Sequence, residues 1–246
     1  MTENAFEAIS GRGPLVFLCD HAASALPPGG LGLDPALLST HIAYDIGAAS
    51  VTRALAAAYG APALLGAWSR LLIDLNRGAD DPTLVMKLSD GSIIPGNRAA
   101  DAAEVARRIQ AFHAPYHAAI AAELDRIGPD AVLFSMHSFT PAWKGRPRPW
   151  DVGVLYDRDV RLAAPLMARL AEAGFTVGDN EPYTGALEGD TLWRHGTMRG
   201  LPHVLIEMRQ DLVGTDAQAQ GFALRLKPIL DAALDDMASN SEAVGQ

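Results

Sequence analysis

The chain has 246 residues, 49% of them hydrophobic and 20% charged, and a formal net charge of −9. That length fills one sizeable core, and an acidic balance with no basic run excludes the footprint of a nucleic-acid or anionic-membrane binder. A single cysteine, Cys19, excludes an internal disulfide framework and, with no signal pattern and no run of about 20 apolar residues, predicts a cytoplasmic protein.

In chain order, residues 1–12 read as a loose arm. Residues 14–19 form an apolar run that opens onto Asp20 and His21, the pattern of a strand buried on both faces. Residues 25–32 are a loop by composition. Pro35 starts a helical stretch, and a second helix runs from Asp45 to about Tyr59. A short edge strand is predicted at 63–65 and a stronger strand at 71–75, ending in Asn76 and Arg77. The polar, turn-rich stretch 78–97 reads as a loop over a site. Val105, Ile109, Phe112, Tyr116, Ile120, Leu124 and Ile127 recur at helical steps, and Pro115 is expected to kink or split that helix.

Residues 130–140 carry the strongest strand signal, an uninterrupted apolar run reaching His137. A basic loop with Trp143 and Trp150 follows, then a strand at 151–156, a helix at 158–173, strands at 175–177 and 201–208, and a helix at 217–234. Residues 235–246 read as a second loose arm. Strands alternating with helices predict a single three-layer α/β/α domain over 1–246, with a mostly parallel, mixed sheet.

Four of the apolar runs end in chemically capable groups, and ligands collect outside the carboxyl ends of strands in open α/β sheets. His21 and His137 come from separate strands and suit one divalent ion, with zinc the first choice. The third ligand is Asp45 or Asp20. Asp45 is preferred because neighbours on a strand point to opposite faces, which separates Asp20 from His21. His113 and His117, four apart on a helix, are a rival metal pair. They lack the glutamate of the zincin signature, Ala114 standing in its place, and a structural role is favoured. Cys19 reads as buried packing rather than a nucleophile. A carboxylate such as Glu207 is costly to bury without a task or a partner, and Arg209 is the available partner. Arg77 offers a planar fork suited to a carboxylate, unless it pairs with Asp74 or Asp80.

From about Pro14 to Leu234 the chain resembles the N-formylglutamate amidohydrolase family. The resemblance lies in the segments 19–24 (CDHAAS), 41–47 (HIAYDIG), 69–77 (SRLLIDLNR), 94–97 (IPGN), 137–141 (HSFTP), 148–150 (RPW), 179–183 (DNEPY) and 206–211 (IEMRQD). It is similar to the branch with a shortened His-Ser-Phe site. The family is in turn distantly similar to zinc carboxypeptidases, although Ser24 stands where their pattern has a glutamate. The resemblance implies a zinc-exopeptidase-like fold and cleavage of the N-formyl or N-acyl amide of a small acidic amino acid. It also implies Glu207 as general base, Asn76 and Arg77 on a substrate carboxylate, and His137 as a late zinc ligand. Arg70 and His195 are expected to support the oxyanion, and Tyr183 and Arg209 to join the substrate pocket. The alternative is a binding or sensor module for an acidic metabolite on the same fold.

Overall fold

The computed structural model describes residues 4–244, with side chains described through residue 240. The strands are β1 (Phe6–Ile9), β2 (Leu15–Cys19), β3 (Ala63–Gly66), the two-residue hairpin β4 (Leu88–Ser89) and β5 (Ser92–Ile93), β6 (Val132–Phe139), the hairpin β7 (Ala142–Trp143) and β8 (Arg146–Pro147), β9 (Val152–Leu155), β10 (Val177–Asp179) and β11 (His203–Arg209). Seven of them form one sheet in the order β1-β3-β2-β6-β11-β9-β10. Pairing is parallel except at β1/β3 and β9/β11, so the sheet is mixed and mostly parallel.

Alternation along the central strands assigns the two faces. Phe17, Cys19, Phe134, Met136, Val204, Ile206 and Met208 join one apolar core with α1 (Ala48–Tyr59), α5 (Ala163–Glu172) and α7 (Asp216–Val244). Val16, Leu18, Leu133 and Leu205 face the other way, against α4 (Ala114–Ile127). Burying both faces explains why these runs are apolar without interruption. The result is the expected three-layer α/β/α architecture. No described helix is long and apolar enough to cross a membrane.

Three expectations need correcting. Residues 1–12 are not simply an arm, because β1 pairs antiparallel with β3 and takes the sheet edge, leaving β3 internal; residues 1–3 lie outside the described residues. The terminal helix continues to Val244 rather than stopping near 234, and residues 245–246 lie outside the described residues. Residues 71–75 are buried but join no sheet, running instead as successive turns. An apolar run signals burial; it does not say where backbone hydrogen bonds go. Here Asn97 Nδ2, from the short helix α2 (Pro95–Arg98), donates to Leu71 O at 2.7 Å, and Arg108 Nη1 donates to Leu72 O at 2.8 Å.

The helix expected near Pro115 is divided. α3 (Ala102–Arg108) leads into a π-helical turn, Ile109–His113, and α4 begins at Ala114 with Pro115 in its first turn. Pro115 has no N–H to donate, and it sits directly after the π-helical turn, where the regular α-helical bonding is already interrupted.

Candidate active site

The site is built on the sheet face opposite the larger core. In the parallel β6/β11 register His137 lies beside Glu207, so their side chains leave the same face one strand apart. β2 delivers Asp20 and His21 just past its last residue, Cys19. Asp45 is fixed before α1 by two backbone bonds: its N–H donates to His21 O at 3.0 Å, and Ala48 N donates to its O at 3.2 Å. The turn into α1 needs Gly47, whose φ is 83° and where an added Cβ would fall 2.1 Å from Val213 O.

His21, Asp45 and His137 each present a ligand atom within 4.8 Å of the others, and all three are buried. Asp45 Oδ2 is 2.8 Å from His137 Nδ1 and 3.4 Å from His21 Nδ1. The opposite ring nitrogens are also held: His21 Nε2 lies 2.7 Å from Asp74 Oδ1, and His137 Nε2 lies 3.0 Å from Asp20 Oδ2. Arg70 Nη2 donates to Asp74 Oδ2 at 2.8 Å and its Nη1 sits 3.5 Å from Asp45 Oδ1. Burial alone would lower the His137 pKa, but the hydrogen bonds and charges of Asp20 and Asp45 outweigh it and hold the ring well above its usual value. His21 is raised too; burial and Arg70 oppose the shift, and Asp74 and Asp45 overcome them.

Glu207 differs from these paired groups. It is 6% exposed, and its Oε2 is the one buried side-chain polar atom, among the described residues, without a hydrogen-bond partner. Burial pushes its pKa up to about 7 against the pull of the His137 charge. It borders a cavity of about 380 Å³ that is also lined by His21, Asp45, Arg70, His137 and Asn76. Arg77 and Tyr183 line the same cavity. Arg77 is half-buried, donates only to Asn76 O at 2.7 Å, and makes no ion pair among the described residues. The Arg148 guanidinium lies 5.1 Å from the Tyr183 ring and 5.5 Å from that of Trp143, and both aromatic residues line the cavity.

The chain segment entering Tyr183 is seated by missing side chains. Gly153 and Gly178 pair across β9 and β10, and a Cβ on either would meet Glu181 O, at 2.1 and 2.7 Å.

Two expected site residues lie elsewhere. His195, on α6 (Thr191–His195), faces His117 at 3.0 Å in a separate pocket with His113 and Arg194, so it cannot reach an oxyanion in the cavity. Arg209 points past the cavity, bridging Asp151 and Asp211 at 3.1 and 2.7 Å, and so neither lines the cavity nor pairs with Glu207. Arg209 shares a strand face with Glu207, but the carboxylates of Asp151 and Asp211 compete for its guanidinium. Conversely, Asp20 and Asp74 turn out to be the partners of the two histidines. Asp20 stays outside the cluster of His21, Asp45 and His137 and holds the far nitrogen of His137 instead. Asp190 was missed; it lines the cavity and burial raises its pKa to about 6. Its signal was an aspartate one residue before a short helix, which reads only as a cap.

A family model described as N-formylglutamate amidohydrolase matches residues 13–213. Among solved structures the chain is similar to a gene product of Agrobacterium tumefaciens, with 34% identity, 96% of each chain covered and a TM-score of 0.90. It is also similar to an N-formylglutamate amidohydrolase from Ralstonia eutropha, with 24% identity, 97% and 98% coverage and a TM-score of 0.66. Comparison with curated proteins gives no match. The chain belongs to the N-formylglutamate amidohydrolase family, hydrolases of amide bonds.

Proposed function

We propose that the chain hydrolyses the N-formyl or N-acyl amide of an acidic amino acid, using a divalent ion held by His21, Asp45 and His137, with zinc the best match to two imidazoles and a carboxylate. One observation carries this reading. Two imidazole nitrogens and one carboxylate oxygen converge, while the far nitrogen of each ring is held by another carboxylate, Asp74 or Asp20. Metal-ligating histidines are oriented in this way. Donors about 2.0 Å from a tetrahedral ion stand roughly 3.3 Å apart, and the observed 2.8 and 3.4 Å bracket that spacing.

A divalent ion there supplies Lewis acidity, polarising an acyl oxygen and acidifying water. Glu207 accepts the water proton on its free Oε2 and passes it to the departing amine. A pKa near the working pH lets one carboxyl group serve in both directions. Arg70, fixed by Asp74 and Asp45, faces the cavity with positive charge suited to an oxyanion. Arg77, without an internal counter-ion, takes the substrate carboxylate through two parallel hydrogen bonds, Asn76 assists, and Tyr183 covers the mouth.

The test pairs metal analysis with turnover of N-formyl and N-acetyl derivatives of glutamate, aspartate and leucine. Zinc-dependent turnover favouring the acidic substrates is expected. Turnover that survives complete chelation, or full zinc content in both His21→Ala and His137→Ala, overturns the metal site. Equal rates on the leucine and glutamate derivatives overturn the substrate assignment alone.

A further inference from the structure

The segment that carries Asn76 and Arg77 is not a strand, so its backbone groups have no ladder to satisfy them. Buried carbonyls must still be paired. Three of them are met by one composite helix. Arg108 Nη1 donates to Leu72 O at 2.8 Å, His113 Nε2 to Arg77 O at 2.9 Å, and His117 Nε2 to Leu75 O at 3.0 Å. The last two bracket the Asn76–Arg77 pair, holding the peptide before Asn76 and the peptide after Arg77.

The spacing of these donors is unusual. In a regular α-helix at 3.6 residues per turn, residues 108 and 113 would be about 140° apart around the axis. The π-helical turn between them, Ile109–His113, closes i→i+5 bonds and brings residues five apart over one another. One inserted residue therefore aligns Arg108, His113 and His117 on a single face.

The tautomers follow from the acceptors. A carbonyl only accepts, so Nε2 of His113 and of His117 carries the proton. Nδ1 of His117 is then a lone pair, and it accepts from His195 Nε2 at 3.0 Å. Burial lowers the pKa of all three rings, with neighbouring positive charge adding to it, so the chain of rings stays neutral.

We infer that Arg108, His113 and His117, lined up by the π-helical turn, are positioning residues that set Asn76 and Arg77 for the substrate carboxylate, with His195 fixing the His117 tautomer. This rests on the substrate reading given above. A displacement near 1 Å at a binding group can cost on the order of a hundredfold. The loss belongs in the carboxylate contact and leaves the chemical step alone.

The experiment compares His113→Leu, His117→Leu and the donor-keeping His113→Gln and His117→Gln on an N-formyl amino acid and on its carboxamide analogue. The Leu variants are expected to raise KM for the acid about tenfold or more. kcat and the carboxamide KM should stay within about twofold, zinc content should be unchanged, and the Gln variants should recover most of the loss. Equal losses on both substrates, equal losses in Leu and Gln variants, or no loss in either Leu variant overturns the inference. A wild type that does not prefer acid to carboxamide sinks the substrate reading instead. The ring proton spectrum then decides whether the donors exist: exchange-protected Nε2–H signals from both His113 and His117 support them, and their absence overturns them.

Discussion

The molecule contains two buried histidine clusters, and they obey opposite electrostatics. At the cavity, His21 and His137 are surrounded by Asp20, Asp45 and Asp74, and their pKa values rise. Behind the same segment, His113, His117 and His195 hydrogen-bond, among the described residues, to backbone carbonyls and each other beside Arg194, and their pKa values fall. Burial works in the same direction in both places. The difference lies in the surroundings: carboxylates favour a cation at the cavity, whereas carbonyl acceptors and the nearby Arg194 charge keep the second cluster as neutral donors.

The sharpest way to break this contrast is to remove a ring from each cluster. His137→Ala should abolish stoichiometric zinc and lower turnover by about a thousandfold or more, since a metal contributes several kcal/mol of transition-state stabilisation. His117→Ala should keep its zinc. Elemental analysis and kcat on both variants decide; zinc loss from His117→Ala alone would reverse the roles of the clusters.

Glu207→Gln comes next. It removes the proton acceptor and keeps the shape, so kcat should fall roughly 10²–10⁴-fold with zinc retained. In the wild type the base is lost as pH falls through about 7, and kcat should decline on that limb. The sign for stability is opposite. A carboxyl group whose folded pKa lies above its ordinary 4.5 favours the folded state while protonated, and that contribution is lost as pH rises through about 7. Metal-free Glu207→Gln should therefore melt above metal-free wild type at pH 8, by about 2–4 °C for each kcal/mol relieved. A lower melting temperature would show that the carboxylate has a partner.

A smaller effect is expected from the carboxylates behind the ligands. Asp20→Asn weakens the hold on His137 Nε2, and such changes cost about 10–100-fold in metal affinity. Competition with a zinc chelator measures it. The smallest effect belongs to the neutral cluster. His195 has its pKa lowered to about 4, so the stability it confers is present above its ordinary 6.5 and is lost as pH falls from there toward 4. His195→Gln should flatten the melting-temperature profile across that window, and an unchanged slope would place the acid sensitivity elsewhere.

Much of this was legible in the sequence. The uninterrupted run into His137 marked the central strand, and polar residues at the ends of apolar runs marked the cavity, because a parallel sheet buries both faces of its strands. Asp45 was reachable from its place before a helix. What the sequence hid was direction. Residues 71–75 look like a strand because strand and buried turn share the same apolar need, and only the distant Arg108, Asn97, His113 and His117 reveal the difference. Arg209 keeps the strand face it shares with Glu207, yet Asp151 and Asp211 take its guanidinium, and no strand pattern displays such distant competitors. His195 was grouped with the wrong cluster because its neighbours are fixed by long-range packing.

The two glycines that bed Glu181 O have a consequence for how this scaffold can be altered. The root of the 182–189 segment is held by backbone against backbone, and the identities of its side chains do not enter that contact. Tyr183, Thr184 and Leu187 reach the cavity from beyond this root. Anchoring and recognition are thus separated along the chain. Tyr183, Thr184 and Leu187 are open to exchange for new substrate preferences, while Gly153, Gly178 and, within the segment itself, Gly185 are closed to any residue that carries a Cβ.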